Sequence, residues 1–380
     1  MVSGGEYTLA AAGGLRVDLD DQEAALGAIR AAAGREGGFA AVVAPDDATV
    51  ELAGRVAGAL GLAGNPPEAA RLSRRKDLAR DRLAAAGVGI PEYRVLDLRR
   101  PLDLSRIAFP CVVKPVAMSG SRGVIRANDE AELAAAVGRA RSIASGALDE
   151  EERSRLLVES FVPGVEVAVE GLVRDGRLEV LAVFDKPDPL DGPYFEESIY
   201  VTPSRLGAVA EARIVACVRE AVAAFGLVSG PVHAEVRWHA GEAWLLEVAA
   251  RTIGGECSKL LRFSAGHSLE EVVLAAALGR RVPTGLASGA AGVMMLPTPR
   301  PGTLRRVEGV LDALRVPGVE DVSIAAGAGT ELLPLPEGSA YLGYVFARGE
   351  TPELVEGALR EATGRLRIVI APMWRLSPAA

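Results

Sequence analysis

Apolar positions fall into two rhythms along the chain. Over residues 1–72, compact apolar runs at 15–18 and 39–44 alternate with helical spacing at 21–34 (Ala24, Leu26, Ile29, Ala33) and at 49–61. Runs of the first kind suit buried parallel strands, and Gly64-Asn65-Pro66-Pro67 breaks the second helix. Strand–helix alternation builds a parallel sheet. This stretch is expected to be a small α/β unit that leans on the rest of the chain.

Residues 73–87 read as one helix, capped by Ser73 and ended by Gly87 in the left-handed position. Beyond Gly89-Ile90-Pro91, residues 107–116 are strand-like, 130–141 helical, and 155–170 alternate like a strand pair broken at Pro163-Gly164. Residues 140–155, rich in small and acidic residues, read as a mobile connection. Two hairpins over 171–250 flank a helix at 206–225, and 268–279 gives one more helix. A small-residue linker at 285–292 leads into a strand–helix–strand pattern with helices near 305–314 and 352–363.

Composition narrows the class. The 380 residues are 49% apolar and 24% charged, the balance of a globular protein with two or three domains. Aromatics are only 4%, so Ala, Val and Leu supply most of the packing. A net charge of -8 excludes nucleic-acid affinity from a broad basic surface but leaves room for a local basic pocket. No window of 18 residues is uninterruptedly apolar, and residues 1–6 lack the basic start of a signal peptide. Cys111, Cys217 and Cys257 lie far apart, without disulfide-framework or zinc-site spacing. A cytoplasmic protein with no membrane partner is expected.

Three segments carry candidate chemistry. Phe109 to Val116 is an apolar strand interrupted by Lys114, and an ammonium there needs an open face or an anion. Ser119-Gly120-Ser121-Arg122-Gly123-Val124 follows, a small-residue loop whose N–H groups can approach phosphate oxygens; it is also a plain hairpin turn. Glu159 and Glu166 stand seven residues apart around a Pro-Gly turn, either as site carboxylates or as solvated surface groups.

A further segment, residues 232–248, reads as a hairpin. With Val232, Ala234, Val236 and Trp238 on one face, His233, Glu235 and Arg237 occupy the other, with Leu245 and Glu247. A three-residue turn sets Glu235 directly opposite Glu247. Two carboxylates at roughly 5 Å repel by about 3 kcal/mol at an effective dielectric near 20. A divalent ion between them, neutralisation by Arg237 or Arg251, and splaying into water are the alternatives. Arg251, before Gly254-Gly255, can hold a phosphoryl group or a carboxylate, or pair with either glutamate. Of the histidines, His233 shares the carboxylate face, where a structural role is the simpler reading.

The ordered set of Lys76, Lys114, the 119–124 loop, Glu159 with Glu166, and Glu235/Glu247/Arg251 resembles the ATP-grasp superfamily over roughly residues 73–280. Asp185-Lys186-Pro187, residues 192–197 and 200–204, and Glu247-Val248-Ala249-Ala250-Arg251 are most similar to the L-amino acid ligases, dipeptide synthetases of the bacilysin-synthetase type. That resemblance implies an α/β (α+β) ATP-grasp fold with an N-terminal domain at 1–72, a core at 73–284 with a lid at about 94–158, and a C-terminal α+β domain at 285–380. It implies ATP-dependent carboxylate–amine ligation through an acyl-phosphate. ATP and Mg²⁺ (or Mn²⁺) are the implied cofactors, an amino acid or related carboxylate plus an amine the substrates, and a homodimer the implied assembly.

Carried over by residue, Lys76, Lys114, Ser119, Gly120, Ser121 and Gly123 would meet the ATP phosphates. Glu159 with the backbone of Phe161 and Val162 would meet the adenine, and Glu166 the ribose. Glu235 and Glu247 would hold the metal, and Arg251 and Lys114 would be catalytic. Glu197, Tyr200, Lys186, Arg251, Gly254 and Gly255 would meet the substrate. Two departures stand out: Ala249 replaces a metal-ligand asparagine common in the superfamily, and the N-terminal domain looks shortened by a strand and helix. Another ATP-grasp reaction, or a non-catalytic ATP-binding protein, are the alternatives.

Overall fold

The computed structural model describes residues 2–3, 14–147 and 149–372. Most of the hexapeptide read above for a leader lies outside the described residues. β1 (Val2–Ser3) and β2 (Leu15–Arg16) form a two-stranded parallel pair, followed by α1 (Gln22–Glu36) and α2 (Val50–Leu60). Residues 39–44, expected as a strand, are irregular. Phe39 and Val42 still pack against the Val17, Ile29 and Val56 cluster, so the apolar run is satisfied by helix contacts rather than by a sheet.

The helix expected over 73–87 is two helices, α3 (Pro67–Arg74) and α4 (Lys76–Ala85). Ser73 lies inside α3 with its hydroxyl on the Ala70 carbonyl, so it caps nothing. Arg75 is extended at the break and buried. Its guanidinium meets Asp77 at 2.9 and 2.7 Å and Glu151 at 3.0 Å, and Lys76 N–H donates to Val116 C=O at 2.8 Å. These bonds replace the helical ones lost at the break. Gly87 does take the left-handed conformation (φ 73°).

β3 (Tyr93–Asp97), β4 (Cys111–Pro115), β5 (Ile125–Ala127), α5 (Glu130–Ala144), α6 (Glu150–Arg153) and β6 (Arg155–Ser160) form a small layer with sheet order β3-β6-β4-β5. α5 packs on it through Leu133, Val137 and Ala140. The stretch read as a mobile connection thus holds the end of α5, all of α6, and the buried Glu152 and Ser154.

β7 (Val165–Arg174) and β6 do not pair, against expectation; they belong to different sheets. The turn at Pro163-Gly164 is a crossing point: Gly164 has φ 105°, and a Cβ there would lie 2.3 Å from the Trp238 carbonyl oxygen. β8 (Arg177–Lys186), β9 (Ile199–Thr202), α7 (Ala208–Phe225), β10 (Ser229–His239), β11 (Glu242–Ala249) and α8 (Leu269–Ala277) follow. The two expected hairpins are β7/β8 and β10/β11.

The C-terminal part contributes β12 (Ala290–Leu296), β13 (Gly302–Glu308), α9 (Val310–Ala313), β14 (Val319–Ile324), β15 (Glu331–Leu332), β16 (Gly343–Gly349), α10 (Pro352–Gly364) and β17 (Arg367–Ala371). Ala290 to Gly292, read as linker, already belong to β12, and Arg305 to Glu308, read as helix, belong to β13. β12, β16 and β14 extend one eight-stranded sheet, ordered β11-β10-β7-β8-β9-β12-β16-β14, and β15-β13-β17 form a separate small sheet. One face of the large sheet packs Val167, Val169, Val232, Ala234 and Val236 under α7. The two-residue period puts Glu166, Glu170, His233, Glu235 and Arg237 on the other face. No helix among the described residues is long and apolar enough to cross a membrane.

Ile214 on α7 is fully buried in the core under β10. Ile214→Ala is expected to cost about 2–5 kcal/mol, read as a lower urea midpoint.

Candidate active site

The site begins with the β10/β11 register. Glu235 stands opposite Glu247, but the register shifts by one between Glu235 and Val236. Val236 then meets Leu245, and Ala240 and Gly241 close a two-residue turn instead of three. Leu246 is the odd residue of a β-bulge. Leu245 therefore joins Val236 and Val248 in the core, not the carboxylate face, and Leu246 lines the pocket.

Above these strands lies a pocket of about 660 Å³. It is walled by the 45–48 loop, the 119–121 loop, the 159–162 crossing segment, the 249–257 turn, and Ser339 to Tyr341 with Tyr344. All the expected site residues line it except Gly123, whose N–H is bonded to Pro336 C=O, and Lys186, which lies beneath its floor.

Two lysines neutralise the opposed glutamates. Lys76 Nζ is 3.0 Å from Glu247 Oε1 and 2.7 Å from the Met118 carbonyl. Lys186 Nζ is 3.0 Å from Glu235 and 2.7 Å from Glu166, and also meets Glu197. Neither arginine considered from sequence takes that role. Arg237 meets Glu166 at 2.9 Å and the Val162 carbonyl at 2.6 Å, while Arg251 meets Asp47 at 2.9 Å.

The Lys186 cage sets the local electrostatics. Burial pushes the Lys186 ammonium towards the neutral form, but Glu166, Glu197 and Glu235 outweigh it and hold its pKa well above the usual range. Burial raises the Glu197 carboxyl to about 7, although Lys186 pulls the other way. Glu159, buried between Arg80 and Lys114 (2.6 Å), has its burial penalty outweighed and falls to about 2. Two backbone groups expected near a purine are already engaged: Phe161 N–H donates to Pro110 C=O at 2.9 Å, and Val162 C=O accepts from Arg237. Gly255, at φ 62°, faces Met295 so closely that a Cβ would lie 2.5 Å from its sulfur.

Several residues escaped the sequence reading. Arg80 shares the α4 face of Lys76, and its i+4 spacing was the available signal. Asp47 and Tyr341, from distant loops, and Tyr344, from β16, reach the pocket with no local signal. Glu170 is fully buried and holds His233 Nδ1 at 3.2 Å and the Ile253 N–H at 3.2 Å; His233 Nε2 faces Glu235 at 3.8 Å.

Glu235 and Glu247 offer hard oxygens from two rigid strands into an open pocket, a donor set that fits Mg²⁺ completed by phosphate oxygens and water. Ala249, opposite His233, supplies no ligand atom.

Two family models and several known proteins match the chain. Residues 107–260 match the ATP-grasp domain and 294–371 the L-amino acid ligase C-terminal domain 2. The solved L-amino acid ligase of Bacillus licheniformis superposes with a TM-score of 0.84 at 28% identity, over 94% of this chain and 88% of that one. An uncharacterised protein of Sinorhizobium fredii is 26% identical over 94% of this chain and 73% of its own length. The alanine–anticapsin ligase of Bacillus subtilis is 27% identical over 51% of this chain and 44% of its own length. Fold and matched domains thus define an ATP-grasp enzyme, a class that uses ATP. The chain belongs to the ATP-grasp carboxylate–amine ligases that carry the L-amino acid ligase C-terminal domain.

Burial alone would lower the His233 pKa, but its bonds to Glu170 and Glu235 carry it up to about 9. A raised folded-state value stabilises fully below the unfolded value near 6.5 and is lost as pH rises through 9. The wild type is expected to lose at most about 3 kcal/mol more than His233→Gln between pH 6.5 and 9.5, in urea titrations.

Proposed function

We infer that the chain joins the carboxylate of an amino acid to an amine in an ADP-forming reaction. The observation that carries this reading is the opposed Glu235/Glu247 pair facing one pocket with Lys76, Lys114, Arg251 and Glu197. A carboxylate resists amide formation because oxide is a poor leaving group. Its oxygen attacks the γ-phosphorus of ATP, the bond to ADP breaks, and an acyl-phosphate results. The amine nitrogen then attacks the activated carbonyl, the C–O bond to phosphate breaks, and the nitrogen loses its proton.

Such a reaction asks for positioning and charge neutralisation. Lys76, Lys114 and the 119–121 loop would hold the phosphates. Glu159 and Glu166 would border the nucleoside. Glu235 and Glu247 would hold Mg²⁺, which supplies Lewis-acid neutralisation of the phosphate oxygens. Arg251, held by Asp47, would meet the acyl-phosphate oxygens. Glu197 would receive the ammonium of the amino acid, beside Tyr200 and the Gly254-Gly255 turn. Lys186 bonds Glu197, Glu166 and Glu235 together, so the nucleotide, metal and amino-acid subsites would share one counter-ion.

Glu247→Gln removes a ligand charge while keeping shape. ADP release is expected to fall by roughly 100-fold or more with an unchanged circular dichroism spectrum; undiminished turnover would refute the site. Because Glu197 titrates near 7, the amino-acid KM is expected to fall as pH rises through about 7. In Glu197→Gln the KM is expected to rise roughly 10-fold or more and lose that dependence. A wild-type KM that is flat from pH 6 to 8 contradicts the assignment.

A further inference from the structure

The phosphate loop is supported from outside its own layer. Its conformation needs support: Gly120, Ser121 and Gly123 all have positive φ, and a run of small residues has little stiffness of its own. Gly123 N–H donates to Pro336 C=O at 2.9 Å, and Arg122 Nε donates to Glu337 C=O at 2.9 Å. A Cβ on Gly120 would lie 3.1 Å from Ser339 Cβ. The supporting segment belongs to the C-terminal part, 215 positions from the loop in sequence.

A side-chain tie reinforces these contacts. Arg139, on the helix that backs the loop's layer, meets the Glu337 carboxylate with both prongs, Nε to Oε1 at 2.5 Å and Nη2 to Oε2 at 2.8 Å. Its remaining nitrogen meets the Tyr194 hydroxyl, with the guanidinium 5.2 Å from that ring's centre. Both charged side chains are 43% exposed, so the pair alone is a modest tie. Bidentate geometry and two adjacent loop bonds to the same segment make it a latch.

We propose that Glu337 is a positioning residue for the phosphate loop. By pinning Arg139 it holds the lid layer down, so that the C-terminal segment sets how firmly the loop encloses a nucleotide. The contact stands on the structure alone; its purpose rests on the ATP reading of the pocket. Glu337 itself does not line the pocket, whereas Ser339 and Ala340 beside it do.

Two readouts separate the latch from that reading. In ligand-free protein, hydrogen exchange of peptides covering 119–124 is expected to be roughly fivefold faster in Glu337→Ala and in Arg139→Ala than in wild type. The double variant should be no faster than either single, and the swap Arg139→Glu/Glu337→Arg should recover most of the protection. The Kd for a non-hydrolysable ATP analogue with Mg²⁺ is expected to weaken by a similar factor and recover in the swap. Unchanged exchange overturns the latch, whatever the nucleotide does. Faster exchange with an unchanged Kd overturns its role in positioning the loop. Failure of the wild type to bind the analogue refutes the ATP reading and this purpose with it, while the exchange data still decide the contact.

Discussion

Glu235 and Glu247 face each other across neighbouring strands, and the pocket is arranged around cancelling their charge. Like charges opposed in a sheet are destabilising, so such a pair persists only with cations close by. Lys76 arrives from the first turn of α4 and Lys186 from the end of β8. Each has a second task. Lys76 binds the Met118 carbonyl at the root of the 119–124 loop, and Lys186 gathers Glu166 and Glu197 as well. Binding of a divalent ion between the glutamates would free Lys76, which lines the pocket, to meet an arriving anion, while Lys186 would keep Glu166 and Glu197.

The platform beneath is a single eight-stranded sheet. Its β11-β10-β7-β8 edge carries the charged row, and its β12-β16-β14 edge comes from the C-terminal part. That continuity explains how Met295, on β12, can back Gly255, and how Tyr341 and Tyr344 reach the pocket. The small four-stranded layer closes over the platform through the 119–124 loop. Irregular segments deliver the remaining groups: Asp47 from before α2, and Arg251 from just after β11. Rigid strands thus fix Glu235 and Glu247, while Asp47, Glu197 and Arg251 sit on irregular segments.

Much of this was legible in the sequence because it depends on local periodicity. Alternation along β10 and β11 with a three-residue turn opposed Glu235 and Glu247, a pairing the structure reaches through a two-residue turn and a bulge, and the helices α5, α7, α8 and α10 follow apolar spacing. What failed depended on partners. The β-bulge at Leu246 reverses the facing of Leu245 without any residue marking it. The break at Arg75 is stabilised by Asp77 and Glu151, the latter from another layer. β6 and β7 look like a hairpin in sequence, yet the Pro163-Gly164 turn carries the chain from one sheet to another. The Lys186 cage draws on three separate strands and loops, and the Glu170–His233 contact joins residues 63 positions apart. Fold class came from the family resemblance of the ordered motifs; the counter-ions came from tertiary structure.

The central claim is that one pocket couples ATP cleavage to joining a carboxylate and an amine. The most direct test measures ADP and phosphate release with ATP and Mg²⁺, against amino acids singly and in pairs, with mass detection of products. The account predicts release that depends on a particular pair, and a product mass equal to the two amino acids less one water. Release that requires bicarbonate instead, or ATP binding without release across a wide set of amino acids and amines, would contradict it.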